Sequence, residues 1–177
     1  MIDIQIFNKN TLKLPGIKLV KLADYKDISH NYPDEELGIL FEPNSTDFGI
    51  IKKYNNKIII GTSKNEKIIR KLVEHKNIYG IVDIESDKGP DHTHYRRSNM
   101  NQVIAKLMKE NNKVYFINFN SILKSRNKSK LMGRIRQNVI LCNKYNTTIK
   151  VHNFSKNISD FRKDLSPVYK IFKIKNQ

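Results

Sequence analysis

The shortages in this chain exclude much before its motifs are read. A single cysteine, Cys142, rules out an internal disulfide framework and a cysteine-rich zinc site. Seven glycines are scattered without a Walker or dinucleotide spacing, so no phosphate-cradling loop is expected. No apolar run approaches the roughly 18 residues of a membrane helix. Met1-Ile2-Asp3-Ile4 also puts an acid where a signal peptide carries basic residues, so a cytoplasmic location without membrane contact is expected. The most telling shortage is of acid: between Glu110 and Asp160 there is none. Residues 111–177 hold 15 basic and two acidic side chains, whereas residues 1–110 hold 18 and 15. The net charge of +16 is therefore concentrated in one part of the chain. A sequence crowded with Lys, Asn and Ile explains why Lys outnumbers Arg, but not why the acids vanish from one segment. That asymmetry predicts a polyanionic partner on one side of the molecule.

What is present is enough to fold. Hydrophobic residues make up 38% of 177, which suffices for a core and argues against disorder. Short apolar runs predict strands over 2–6, 17–22, 38–41, 57–60, 80–84, 113–117 and 149–152. Runs such as Ile58-Ile59-Ile60 are continuous rather than alternating, as in parallel strands buried on both faces. Between them, Ser63 and Glu66 form a capping box ahead of a stripe of Ile68, Ile69, Leu72 and Val73. Ser98 is the expected cap of a second helix, with Met100, Val103, Ile104, Leu107 and Met108 on its apolar face. A long helix is predicted over 128–145 with Met132, Ile135, Val139 and Cys142 inward, and a shorter one opens at Glu42-Pro43-Asn44-Ser45. The last helix runs from about 160 to 174, with Pro167 in its first turn or kinking it. This alternation predicts right-handed βαβ units and an α/β, TIM-barrel-like parallel (β/α) barrel formed as one domain over 1–177. At this length the barrel is shortened or incomplete, and degenerate in its N-terminal third, where 8–16 is too short for a crossover helix.

Asp91-His92-Thr93-His94 is the segment that most resembles a metal loop. A metal-dependent hydrolase on a (β/α) barrel, using His92 and His94, is one alternative. It needs further ligands at other strand ends, and His152 is the one remaining histidine at such an end. Cys142, on the apolar face of the long helix, reads as a core residue rather than a nucleophile. The strongest signal is basic: Arg96 and Arg97 precede the second helix, and Lys124, Arg126, Lys128, Lys130, Arg134 and Arg136 run into and along the long one. Arg126, Lys130 and Arg134 are four apart and predict one stripe, and Arg can clamp two phosphate oxygens at once. Tyr95, Phe116 and Phe119 are candidates for base stacking, with Phe116 better placed for the core. A charge run is often only a solvated face, but such faces usually mix signs and this one does not. A pure protein-interaction scaffold, whose basic half reflects composition alone, is the remaining alternative.

The stretch Arg96-Arg97-Ser98-Asn99-Met100-Asn101-Gln102-Val103-Ile104-Ala105-Lys106-Leu107 resembles the archaeal ribonuclease P protein component 3 family. There an Arg-rich loop leads into a Gly-Leu-Asn-(Gln/His)-Val-Leu-Ala-Lys-Leu helix. Phe119, Ser121, Ile122, Leu123 and Ser125, the basic helix ending Lys144-Tyr145, and Lys163-Asp164-Leu165 are similar in kind. The resemblance covers roughly 77–174, and 57–76 weakly. Asn99 stands where that family usually has Gly, Asn120 where it usually has Arg, and Arg162 where a proline precedes Arg-Asp-Leu. The resemblance implies an RNA-binding, TIM-barrel-like subunit of ribonuclease P, the ribonucleoprotein that cleaves precursor tRNA to give mature 5′ ends. It implies enzymatic activity only within the holoenzyme, with the RNA as catalyst and no catalytic residue, metal or cofactor in this chain. The implied partners are ribonuclease P RNA, precursor tRNA and a second small protein subunit. Arg96, Arg97, Lys124, Arg126, Lys128, Lys130, Arg134 and Arg136 are then the residues expected to face RNA or partner protein. The chain ends before the family's final strand, which implies a barrel left incomplete or closed by a partner.

Overall fold

The β-branched runs become seven strands in the computed structural model, which describes residues 3–33, 35–86 and 89–175. They are β1 (Ile4–Ile6), β2 (Ile17–Lys21), β3 (Leu37–Phe41), β4 (Ile59–Gly61), β5 (Gly80–Val82), β6 (Val114–Asn118) and β7 (Thr148–His152). Ile2, expected in the first strand, lies outside the described residues. The strands lie side by side in chain order, and every neighbouring pair is parallel. This is the shortened, TIM-barrel-like α/β fold expected from the βαβ pattern.

Strand alternation sorts the apolar residues into two layers. Ile4, Ile17, Leu19, Ile60, Val82, Val114 and Phe116 share a cluster with Phe154, filling the concave side of the curled sheet. Their strand neighbours, among them Val20, Ile39, Ile59, Ile81, Tyr115, Ile117 and Val151, pack outward against the helices. Phe116 is the hub of the inner layer, with ring contacts to Tyr79, His152 and Phe154.

The sheet curls until its two edges meet. Phe154 N–H donates to Ile4 O (2.8 Å), and Ile6 N–H donates to Ser155 O (3.1 Å). Side chains complete this seam. Asp3 faces His152 Nδ1 at 3.0 Å and accepts from the Asn153 backbone and side chain, while Gln5 Oε1 accepts from Ser155 N–H. Burial raises the Asp3 carboxyl, but the bonds from His152 and Asn153 outweigh it and hold the group below its usual range. His152 is thus a seam residue, not a free ligand at a strand end. Gly16, just before β2, has φ +101°, and a Cβ there would fall 2.1 Å from Asp3 O, so only glycine fits this approach. After β1 the crossover is a single 3₁₀ turn, Lys9–Thr11, as the short 8–16 stretch predicted. Outside the seam a cleft of ≈ 1090 Å³ opens toward the last helix.

The helices are α1 (Tyr25–Asn31), α2 (Glu66–Glu74), α3 (Gln102–Glu110), α4 (Phe119–Lys124), α5 (Lys128–Lys144) and α6 (Ser166–Phe172). Among the described residues no helix is long and apolar enough to cross a membrane. Several sequence expectations need correction. The caps are asparagines rather than Ser63 and Ser98: Asn65 accepts from Lys67 N–H and Asn101 from Ile104 N–H. Starting α3 later turns Val103 outward (54% exposed) and leaves Met100 buried ahead of the helix. The segment opened by Pro43 forms a 3₁₀ turn at Gly49–Tyr54, and α6 begins at Ser166 with Pro167 in its first turn. Both α1 and α4 were not expected.

Removing the hub of the inner layer should be costly. Phe116→Ala is expected to lose about 3–5 kcal/mol in urea unfolding, because the small interior cannot collapse around the void. Val103→Ala, within an apolar-looking stripe that faces water, should change stability by no more than about 0.5 kcal/mol.

Candidate nucleic-acid interface

The C-terminal ends of β5 and β6 lie side by side, so the loops that follow them emerge at the same end of the barrel. At the mouth, Asp83 accepts from Ser121 Oγ (2.7 Å) and Asn118 Nδ2 (2.8 Å), tying the end of β5 to the start of α4. Asp83 adopts φ +56°, a left-handed conformation that Asp tolerates better than most residues. Burial raises its carboxyl, while Ser121 and Asn118 pull it back. Its side chain therefore does not face outward to solvent.

Glu85 is buried two residues further on, and nothing in the local sequence signals it. Burial and the neighbouring Asp83 carboxylate push its pKa up to about 8. Asn138 Nδ2 donates to Tyr115 Oη (3.0 Å), which in turn donates to Glu85 Oε2 (3.1 Å). This chain joins α5, β6 and the β5–α3 loop through the outer core.

Arg134 anchors that loop at Glu85, Gly89 and Asp91. Its Nε donates to Asp91 Oδ1 (2.7 Å), and its other nitrogens donate to Glu85 O (3.1 Å) and Gly89 O (2.7 Å). Only 3% of the residue is exposed. Lys130 Nζ reaches the same Gly89 carbonyl at 3.0 Å. The predicted Lys130–Arg134 stripe therefore exists, but it grips protein, and Arg126 precedes α5 rather than lying on it. Asp91 also binds Arg96 (3.1 Å) and the Arg97 backbone N–H (3.2 Å). Burial alone would raise the Asp91 carboxyl, but these bonds, led by Arg134, hold it below its usual range.

The other predicted cations are divided by exposure. Arg126, Lys128 and Arg136 are exposed and have no acid within 4.0 Å among the described residues. Lys124 is exposed and paired with Asp160 at 2.8 Å. Arg96 lies across Gly133, where a Cβ would fall 2.5 Å from its guanidinium, and Arg97 packs over Gly89. Gln137 clasps the Arg96 backbone from α5, accepting its N–H (2.8 Å) and donating to its carbonyl (3.0 Å), a contact without a sequence signal.

Two departures from the family pattern acquire local reasons. Asn99 has φ +54°, where glycine is free of cost and Asn is the usual substitute, and its side chain donates to Ile84 O (3.0 Å). Asn120 is buried, with its N–H bonded to Asn153 O (3.0 Å), so position 120 points into the fold here. His92 and His94 lie on the exposed loop, where the His92 ring stacks on Tyr95 (4.4 Å, 27°). Among the described residues no group of three or more His, Cys, Asp or Glu side chains is placed to hold a metal ion.

Two substitutions test this arrangement. Arg134→Ala removes the buried donor shared by Asp91, Glu85 O and Gly89 O and should cost about 2–4 kcal/mol in urea unfolding, far more than an exposed arginine. The second concerns pH. The folded chain binds the Glu85 proton more tightly than the unfolded one, whose carboxyl titrates near 4.5. That contribution is complete below about pH 4.5 and is lost as pH rises through about 8. Glu85→Gln keeps an acceptor for Tyr115 and should gain stability on the parent between about pH 6 and pH 9. An unchanged difference between the two pH values would show that Glu85 titrates as an ordinary carboxylate.

No protein-family model matches the sequence, and no curated protein matches it. Among solved structures, the chain is similar to one in the cryo-EM structure of archaeal ribonuclease P with mature tRNA. The two align with a TM-score of 0.69 over 98% of this chain and 82% of that one, at 16% identity. This likeness extends through the whole barrel, and at that identity what it establishes is a common fold.

Proposed function

We propose that this chain is an RNA-binding protein subunit of ribonuclease P, the ribonucleoprotein that cleaves precursor tRNA to produce mature 5′ ends. The observation that carries the reading is the agreement of two independent likenesses. The Arg96-to-Leu107 stretch resembles the archaeal component 3 family, and the whole fold is similar to a chain of an archaeal ribonuclease P complex. Charge supports it further, because the acid-free segment supplies Lys124, Arg126 and Lys128 around the start of α5 and Arg136 at its middle. In this reading the chain contributes binding and positioning, and the RNA contributes the chemistry. Ribonuclease P RNA, precursor tRNA and a second small protein subunit are its partners, and part of the basic face meets protein rather than RNA. The binding set consists of Arg96, Arg97, Lys124, Arg126, Lys128 and Arg136. Lys130 and Arg134 act beneath them by fixing the loop.

Each phosphate neutralised releases counterions, so log affinity falls with log salt in proportion to the contacts made. Changing Arg126, Lys128 and Arg136 together to Ala should flatten that slope by about two to three units and weaken assembly with ribonuclease P RNA. The matched control changes Lys52, Lys53 and Lys57, which are exposed and lie in the near-neutral part of the chain. Equal losses from both triple variants would show that net charge alone drives binding.

A further inference from the structure

Between the β5–α3 loop and the outer side of α5 lies a cleft of ≈ 890 Å³, bordered by Asp91. From its position we infer that it is a subsite for an unpaired RNA nucleotide, which stacks on the His92–Tyr95 pair while its phosphates meet Arg96 and Arg136. This rests on the ribonucleic acid reading above and names the form of RNA that the surface selects.

Three features of the cleft point to this occupant. The first is an aromatic platform already in place. The His92 and Tyr95 rings stack at 4.4 Å, and the backbone bond from His92 N–H to Tyr95 O (3.0 Å) fixes the turn that carries them. Tyr95 is nonetheless 60% exposed, so a base can extend the stack without first ordering the side chains beneath it. The second is an apolar wall opposite, where α5 presents Ile140, 59% exposed, with Leu141 beside it. The third is the rim. Arg96 and Arg136 line the same cleft, and its one acid, Asp91, is already engaged by Arg134 and Arg96. An aromatic face, an apolar wall, Arg136 with no acid within 4.0 Å among the described residues, and Arg96 beside it together match a nucleotide. The volume falls within the range of about 300–1,000 Å³ typical of small-ligand clefts.

The polar side chains of the cleft also limit what it can read. Both ends of the Gln137 amide are committed to Arg96 and Ser98. Gln102 Oε1 accepts from Tyr145 Oη (3.1 Å), and Asn101 Oδ1 caps α3. With these groups occupied, base edges find few partners, so stacking sets affinity and the subsite tolerates many sequences. A duplex keeps its bases inside its own stack and cannot use the platform.

The experiment measures binding of the full chain to a labelled oligo(U) 12-mer and to the oligo(U)·oligo(A) duplex across a salt series. Tyr95→Ala should weaken oligo(U) binding about tenfold or more, with the salt slope unchanged and duplex binding unaffected. Tyr95→Phe, which keeps the ring, should bind like the parent. A Tyr95→Ala variant that binds oligo(U) like the parent, or loses equally on the duplex, overturns the subsite. If the Arg126, Lys128 and Arg136 variant still loses affinity in that case, RNA binding stands without the stacking site. A parent chain that binds neither probe overturns both readings.

Discussion

The seam between the first and last strands is the joint on which this barrel depends. A curled parallel sheet has to satisfy the hydrogen-bonding groups at its two edges, and here β1 and β7 form no full ladder. Two backbone bonds join β1 to the residues after β7, and Asp3, Gln5, His152 and Asn153 supply the rest through side chains. Each partner is about 150 positions away along the chain. Closing the sheet in this way brings the inner apolar cluster together around Phe116 and directs the loops after β5 and β6 to one end.

On that frame a second buried cluster determines which cations are available. Arg134 holds Glu85 O, Gly89 O and Asp91, and so orders the loop that displays Arg96, Arg97 and the His92–Tyr95 stack. A buried guanidinium is tolerable only because its donors are met by a carboxylate and two carbonyls. The basic segment thus has two jobs. Residues inside it build the loop, while Arg126, Lys128 and Arg136 outside carry charge that no acid offsets among the described residues. Mutating the stripe as a block would mix the two effects, since loss of Arg134 removes structure as well as charge.

Glu85 has a similar supporting part in the fold. It connects the mouth of the barrel to α5 through Tyr115 and Asn138, and its proton is held tightly because water is excluded. Its position beneath the basic loop makes it a support for the surface rather than part of it.

The sequence by itself determined the strand-forming runs, their parallel arrangement, the long α5 helix and the concentration of positive charge. Strands buried on both faces leave continuous β-branched runs, and a segment without acids is visible wherever it folds. The tertiary structure decided what depends on distant partners. Ser63 and Ser98 are as capable of capping as Asn65 and Asn101, and the choice fell to where the chain leaves the sheet. The spacing placed Lys130 and Arg134 on one face, but only the position of the β5–α3 loop turned that face inward. Likewise, His152 read as an open strand-end histidine until the curl of the sheet brought Asp3 against it. Local patterns record periodicity and charge, whereas burial is set by whichever segment the fold places opposite.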